Sequence, residues 1–256
     1  MKRSAMLWYT LGAVVLVAVW EGIVRWRNVR RFVLLKPSEM VSTFADDPGF
    51  YLDHVWVTAR HVGVGLAISL AVSVVFGAVL AAWPALEAAS QPLLVLIMVT
   101  PWVAYITSVV LWLGSGTPSI VFLVAFVTVP AFVYATVAGM RSADPAAREL
   151  FASIDAGPAE VLWRLRLPAA LPSLFTAARF NVGLGLAAAY YSEGSAFTRA
   201  GLGAIGKRAA NANQGAALWT TICCAALLGI AAQFLVLLAE RWLLRWHASQ
   251  RLSPVP

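Results

Sequence analysis

Few residues in this chain have the types and spacing that chemistry requires. Gly201, Gly203 and Gly206 spell G-x-G-x-x-G, and Gly201 through Lys207 spells G-x-x-x-x-G-K. These are the two patterns by which backbone N–H groups cradle phosphate. A phosphate loop also needs a strand before it, a helix after it and a Ser or Thr behind the lysine to hold magnesium. Here Arg208 follows Lys207 and an apolar, membrane-type stretch precedes the glycines, so a nucleotide site is rejected and a plain loop is left. Glu193, beside Tyr190, Tyr191 and Ser192, is the only acidic residue close to the end of an otherwise uncharged run. An acidic group at the centre of a membrane helix costs about 2.5–3.5 kcal/mol, so Glu193 either faces protein or a water-filled path, or sits at the interface and hydrates. His54, His61 and His247 are too scattered for a metal site, and no Ser, His and Asp arrangement or paired carboxylate set is present. The adjacent Cys223 and Cys224 fit neither a disulfide framework nor a zinc spacing and read as small core residues.

The elements that would position these residues are membrane helices. Of 256 residues, 61% are apolar and 12% charged, against about 45–50% and about 25% in ordinary soluble domains. The mean hydropathy is +0.78. This excludes a soluble globular enzyme and leaves one membrane domain over residues 1–256, with any large soluble chemistry placed on a partner. The charge of +7 comes from 19 Lys and Arg against 12 Asp and Glu. Its cations are spread over loops rather than set in a stripe among aromatics, which argues for membrane flanks and against nucleic acid.

Hydropathy and turn residues predict an all-α chain with six transmembrane helices. Met6–Trp20 reads as an anchor rather than a signal peptide, because bulky Trp20 suits no cleavage site. The stretch from Arg25 to Arg60 reads as a loop with one or two short surface helices. Val62–Trp83 is a charge-free run of 22 residues, about 33 Å of helix. On it Ser69, Ser73 and Gly77 recur every fourth residue, either to admit another helix closely or by chance. Between Glu87 and Arg141 lie 53 uncharged residues. They are too many for one crossing, and Gly114, Ser115, Gly116, Thr117 and Pro118 supply a turn, so a hairpin of Gln91–Leu113 and Ser119–Met140 is predicted with a bend at Pro101. Fifth and sixth spans are predicted at Thr176–Glu193 and Ala216–Ala239. With both termini inside, ten basic residues fall inside and nine outside, so charge bias does not set the orientation. Many of the 11 tryptophans, including Trp20, Trp26, Trp83, Trp219, Trp242 and Trp246, fall near span ends and read as interface anchors.

The connection between the fourth and fifth spans, residues 141–175, is more than polar. Leu150, Phe151 and Ile154 lie on one helical face and Val161, Leu162 and Leu165 on another, with Gly157 and Pro158 between them. Two short amphipathic helices at an angle are implied, set to bind either the bilayer surface or a groove on a soluble subunit. Glu149, then position 155 six residues on, then Leu167-Pro168-Ala169-Ala170-Leu171-Pro172 resemble the cytoplasmic loop of the permease subunits of binding-protein-dependent, ATP-driven importers. In that pattern a Gly stands where this chain has Asp155, and two alanines stand where it has Leu150 and Phe151, so the turn glycine is read as displaced to Gly157. Leu35, Pro37 and Ser38, Thr58 and Arg60, Trp112, Gly114 and Gly116, and Glu193 fourteen residues beyond Arg179 look similar to the sulfonate, taurine and nitrate branch.

The resemblance covers nearly the whole chain and includes a Gly-Leu-Gly segment outside the membrane after the fifth span, so that Gly201 to Lys207 would be a flexible external gate or a binding-protein contact, with a plain loop as the alternative. It implies a type I importer-like permease in a prokaryotic cell membrane, pairing with a second copy of itself and receiving a small polar or anionic solute from an extracytoplasmic binding protein. It implies no cofactor on this chain, since ATP and Mg would sit on a separate ATP-binding subunit. Residues 141–175 would be the coupling loop, with Glu149, Asp155, Ala156, Gly157, Pro158, Arg164, Arg166 and Pro168 at that contact. From position, Thr100, Pro101, Trp102, Tyr105, Tyr190 and Glu193 are candidates for the translocation pathway. The competing classes are an ATPase-independent secondary transporter or channel, against which no buried acid and base relay is visible, and a membrane-embedded enzyme, for which no catalytic set is present.

Overall fold

The computed structural model describes residues 3–27, 30, 33–196 and 198–245, and for residues 3–7, 9, 10 and 13 the backbone alone. The described residues form helices α1 (Arg3–Trp26), α2 (Pro37–Asp46), α3 (Pro48–Ala82), α4 (Pro84–Val99), α5 (Tyr105–Leu113), α6 (Thr117–Arg141), α7 (Pro145–Ser153), α8 (Pro158–Val161), α9 (Leu167–Ser195), α10 (Leu202–Asn211) and α11 (Gly215–Leu243). Proline sets most of the starts. Pro37, Pro48, Pro84, Pro118, Pro145 and Pro158 each occupy the first turn of a helix, where the missing N–H would have had no partner and the fixed φ suits the helix. Asp47 adds a cap to α3, its carboxylate accepting from the Phe50 N–H at 3.0 Å.

The core is a layer of three long helices, with α6 packed between α3 and α9. In its most apolar stretch α6 is 61% buried, against 28% for α3 and 6% for α11, which makes α6 the centre and α11 a peripheral rod. Small residues allow this closeness. A Cβ on Gly65 would stand 2.5 Å from the Val124 side chain, one on Gly77 2.7 Å from Thr136, and one on Gly139 2.7 Å from the Ala170 backbone. Ser69 and Ser73 are buried between Gly65 and Gly77, and the Ser73 hydroxyl donates to the Val129 carbonyl at 3.1 Å. The four-residue spacing of small residues on α3 is thus the seam with α6.

The expectation of six transmembrane helices is overturned. Among the described residues three helices, α3, α6 and α11, are long and apolar enough to cross a membrane, and a fourth span results if α4 and the segment Trp102–Leu113, bent by 84°, are taken as one. The physical reasons are local. The predicted fifth span lies in α9, which carries Arg179 and Asn181 in mid-helix and Glu193 near its end, and these raise its polarity. The predicted first arm of the hairpin is not one rod, because Thr100 and Pro101 interrupt it and a 3₁₀ turn at Trp102–Ala104 redirects the chain. Pro101 does break the path there, more sharply than the bend expected. The anchor expected at Met6–Trp20 falls in α1, much of whose first half is described as backbone alone.

Two boundaries also differ from the sequence reading. Helix α3 starts fourteen residues before the charge-free run, taking in His54, Thr58 and His61. The glycine-rich segment after α9 is a helix, α10, rather than a flexible loop. The turn between α5 and α6 does fall at Gly114–Gly116, whose φ values of 80° and 99° suit glycine alone.

The seam makes a direct prediction. Gly139→Ala puts a Cβ into the Ala170 backbone and should cost about 1–3 kcal/mol through overpacking. Gly63→Ala, with nothing within 4 Å, should be neutral in the same thermal unfolding assay in detergent.

Candidate functional site

Two constellations stand at opposite ends of α9, one exposed and one closed. The exposed one is the 141–175 connection. Asp144 caps α7, accepting from the Ala146 N–H at 2.9 Å, and α7 closes on a turn in which Asp155 N–H donates to the Ala152 carbonyl and Ala156 N–H to the Phe151 carbonyl at 3.0 Å. This is the helix-ending motif whose left-handed position usually takes glycine. Asp155 occupies it with φ 50°, a conformation that aspartate tolerates better than most residues. The left-handed residue is therefore not displaced to Gly157, whose φ of −64° and ψ of 154° are extended. The chain keeps the turn where a glycine was expected and builds it with Asp155.

From Pro158 the chain does not stop turning until Ser195. Helix α8 passes through a single π turn, Leu162–Arg166, into α9. Pro168 lacks an N–H and its ring presses on the carbonyl four residues back, so a widened turn just before it relieves the clash. Leu162 and Leu167 pack against buried Met140 and Ala170, which anchors the element to α6. The opposite face is bare: Leu150, Ile154 and Trp163 are 61%, 62% and 70% exposed. Glu149, Asp155, Gly157, Pro158 and Arg164 are exposed, and Ala156, Arg166 and Pro168 half-buried. Arg164 pairs with Glu160 at 3.0 Å. At its other root the connection is held by Arg141, which forks onto Glu87 at the start of α4.

The closed constellation surrounds Glu193, which is 1% exposed. One carboxylate oxygen accepts from the Thr58 hydroxyl at 2.9 Å and from the Gly203 N–H at 2.9 Å. The other meets His61 Nδ1 at 2.8 Å, and His61 Nε2 reaches the Thr117 hydroxyl at 3.2 Å. The first turn of α10 points into this cluster, Leu202 N–H donating to Thr58 Oγ1 at 2.8 Å and Gly201 N–H to His54 Nδ1 at 2.9 Å. The G-x-G-x-x-G pattern is explained by this fit. Gly201 has φ 103° and a Cβ there would strike the Glu193 carboxyl; one on Gly203 would strike the Tyr190 carbonyl, and one on Gly206 the Tyr190 hydroxyl. Three glycines that imitate a phosphate cradle instead let a helix N-terminus seat on an internal carboxylate.

Of the pathway candidates, Trp102 and Tyr190 come together. With Tyr191, Gly183, Ile222 and Ala225 they line an open groove of about 400 Å³, where Trp102 meets Tyr191 edge to face at 5.8 Å. Tyr190 also lines a second cavity of about 210 Å³ with Ser195 and Lys207. Thr100 caps its own helix, donating to the Leu96 carbonyl, exposed Pro101 marks the break after α4, and Tyr105 packs on Phe126 at 5.4 Å. These three do not join the groove, and Glu193 lies in the closed network beside it.

Sequence reasoning missed Thr58 and His61 as partners of Glu193, and His54 as the partner of the Gly201 N–H beside it. Their signal was the spacing of four and three residues that sets them on one face of a helix. It was hidden because the stretch before Val62 read as a loop. His247 and Trp246 lie outside the described residues, and among the described residues no group of three His, Cys, Asp or Glu is placed to hold a metal ion. Cys224 is buried and Cys223 half-buried, both unpaired.

The described residues are all-α, with exposed apolar side chains on a loop at one end of a long helix and a closed polar junction at the other. Residues 73–245 match the family described as the binding-protein-dependent transport system inner membrane component, and the chain belongs to that family. It is 28% identical over 252 residues to the formylaminopyrimidine transport permease protein ThiX of Halalkalibacterium halodurans, covering 98% of this chain and 100% of that one. It is 27% identical over 199 residues to the taurine transport system permease protein TauC of Escherichia coli, covering 74% of this chain and 71% of that one. Among solved structures it is similar to an inward-facing conformation of the MetNI methionine ABC transporter, with a TM-score of 0.64 at 18% identity over 76% of this chain and 96% of that one, a likeness of fold. By family the chain is thus a transport permease of the ABC-importer type, a non-catalytic transport subunit.

The turn at Asp155 can be checked. Asp155→Gly should leave thermal stability unchanged or raise it, whereas Asp155→Val should lower it by about 1–2 kcal/mol, the cost of a left-handed conformation without a short polar side chain.

Proposed function

We propose that the chain forms the translocation pathway of an importer for a small polar or anionic solute, and that residues 141–175 are the coupling loop on which an ATP-binding subunit seats. The observation that carries this reading is the exposure of three apolar side chains, Leu150 and Ile154 at α7 and Trp163 on the π turn that contacts both α6 and α9. Exposed apolar residues on a rigid short helix are the knobs that a groove on a soluble partner accepts. Glu149 and Arg164 provide charge at the rim. ATP and Mg stay on the partner, and closure of the nucleotide subunits is passed to the membrane helices as rigid-body rocking. ATP does this by binding one arrangement better than the other.

The open groove beside Trp102 and Tyr190 supports a pathway wall there, with Thr100, Pro101 and Tyr105 outside it as approach residues and Glu193 acting from the closed network rather than facing the solute. A second copy of the permease would close the groove, and an extracytoplasmic binding protein would deliver the solute at the cell membrane of a prokaryote. For the solute, a sulfonate, taurine or nitrate is one reading, supported by the similarity to a taurine permease. The similarity to a formylaminopyrimidine permease supports a heterocycle equally. The binding protein encoded beside this chain decides between them by the ligand it retains.

Glu149→Arg and Ile154→Asp should each lower co-purification of the ATP-binding subunit at least tenfold without changing the melting temperature of the permease. Solute uptake that persists in the absence of any ATPase would instead establish the secondary-transporter reading.

A further inference from the structure

The first N–H groups of a helix have no partner within it. At the start of α10 three successive N–H groups are taken by side chains from other helices: that of the N-cap Gly201 by His54 and that of Leu202 by Thr58, both on α3, and that of Gly203 by Glu193 on α9. Thr58 works in both directions, accepting from Leu202 and donating to Glu193. His61, also on α3, holds the other carboxylate oxygen and through Thr117 reaches the start of α6. Both oxygens of Glu193 are therefore committed to protein donors, and the group is 1% exposed, which leaves it no face for a solute.

Resting on the importer reading above, we propose that Glu193 is a positioning residue, a buried pin that joins α10 to α3 and α9 so that the three move as one body. The outer gate would then open at the boundary of this body, between it and whatever lies across the groove, and not by α10 lifting from α9. Two further observations point the same way. The fit at Gly203, where a Cβ would stand 1.7 Å from the Tyr190 carbonyl, lets α10 neither slide nor roll on α9 without separating from it. Buried Leu202 and Ile205 also seat α10 on Tyr51 of α3 and Cys224 of α11, so an apolar contact backs the polar one. The other charged groups of α10, Lys207 and Arg208, are exposed and do not enter the pin.

A disulfide tests the idea directly. A Cβ on Gly194 would stand 3.3 Å from Lys207 Cβ and 3.2 Å from the Gly203 carbonyl, so a shift of a few tenths of an ångström brings the pair to the separation of about 3.8 Å that a disulfide spans, and the reduced double-cysteine variant must first match the parent's melting temperature. In the complete transporter in membrane vesicles, with Cys223 and Cys224 replaced by alanine, Gly194→Cys with Lys207→Cys should cross-link under copper phenanthroline. The rate should be the same without nucleotide and after trapping with ATP and vanadate, and the cross-linked complex should keep its ATPase activity within twofold. Cross-linking in one state only, or ATPase lost on cross-linking and restored by reductant, overturns the pin. Without nucleotide, Glu193→Gln should slow cross-linking at least tenfold while Thr58→Ser matches the parent, and Thr58→Val provides the same readout should Glu193→Gln fail to fold. A Glu193→Gln rate equal to the parent's also overturns it. Because this last comparison needs no nucleotide, a complex with no ATPase would sink the importer reading while leaving the pin to stand or fall separately.

Discussion

A carboxylate can be almost fully buried at the end of a membrane helix only if protein groups replace its water one for one. Glu193 meets that condition with a hydroxyl, an imidazole and a backbone N–H, and much else in the structure follows from it. Helix α3 must extend beyond the apolar run far enough to present His54, Thr58 and His61. Helix α10 must begin at Gly201 with its N–H groups aimed inward, and its glycines must be bare because the helix lies against the Tyr190 carbonyl. The polar junction and the glycine pattern are one feature seen from two sides.

The same helix that ends in Glu193 begins, through the π turn, at the loop. From Pro158 to Glu193 is about 50 Å at the rise of a helix. A long helix transmits displacement only if it does not hinge on the way, and proline is the usual hinge. Pro168 and Pro172 sit near the loop end, where Leu167, Ala170 and Leu174 are packed on α6. The weak points of the rod are therefore splinted by its best-packed contact. Further along, Asn181 donates to the Thr128 carbonyl at 3.2 Å and Arg179 pairs with Glu240 on α11, so the polar residues that make α9 a poor span by composition tie it to both neighbours.

That is also why the fold was only partly legible in the sequence. The uncharged run after Glu87 and the glycines at 114 and 116 announced a turn between two apolar helices, and the turn lies there. Small residues every fourth position on α3 marked a close seam, and Gly65, Ser73 and Gly77 form it. What hydropathy could not show was that the chain turns by 84° at the break beside Pro101, or that α9 continues through the polar residues Arg179 and Asn181 as one helix packed on α6. Composition treats each residue as solvated by lipid, whereas α9 is solvated largely by α6. Within the site, the acid Glu193 was conspicuous but its partners were not, because the identity of a buried hydrogen-bond partner is a long-range fact. Thr58 and His61 are 135 and 132 residues away in the chain.

The loop carries the complementary lesson about departures from a pattern. A left-handed residue is needed after α7 if the chain is to reverse into α8, because the two carbonyls of Phe151 and Ala152 are satisfied only by N–H groups folded back over the helix end. Glycine does this at least cost, and aspartate does it with a short polar side chain left in water. With the left-handed residue at Asp155, Gly157 is free to take the extended conformation that leads into Pro158 and α8. The same placement adds a negative charge beside exposed Ile154.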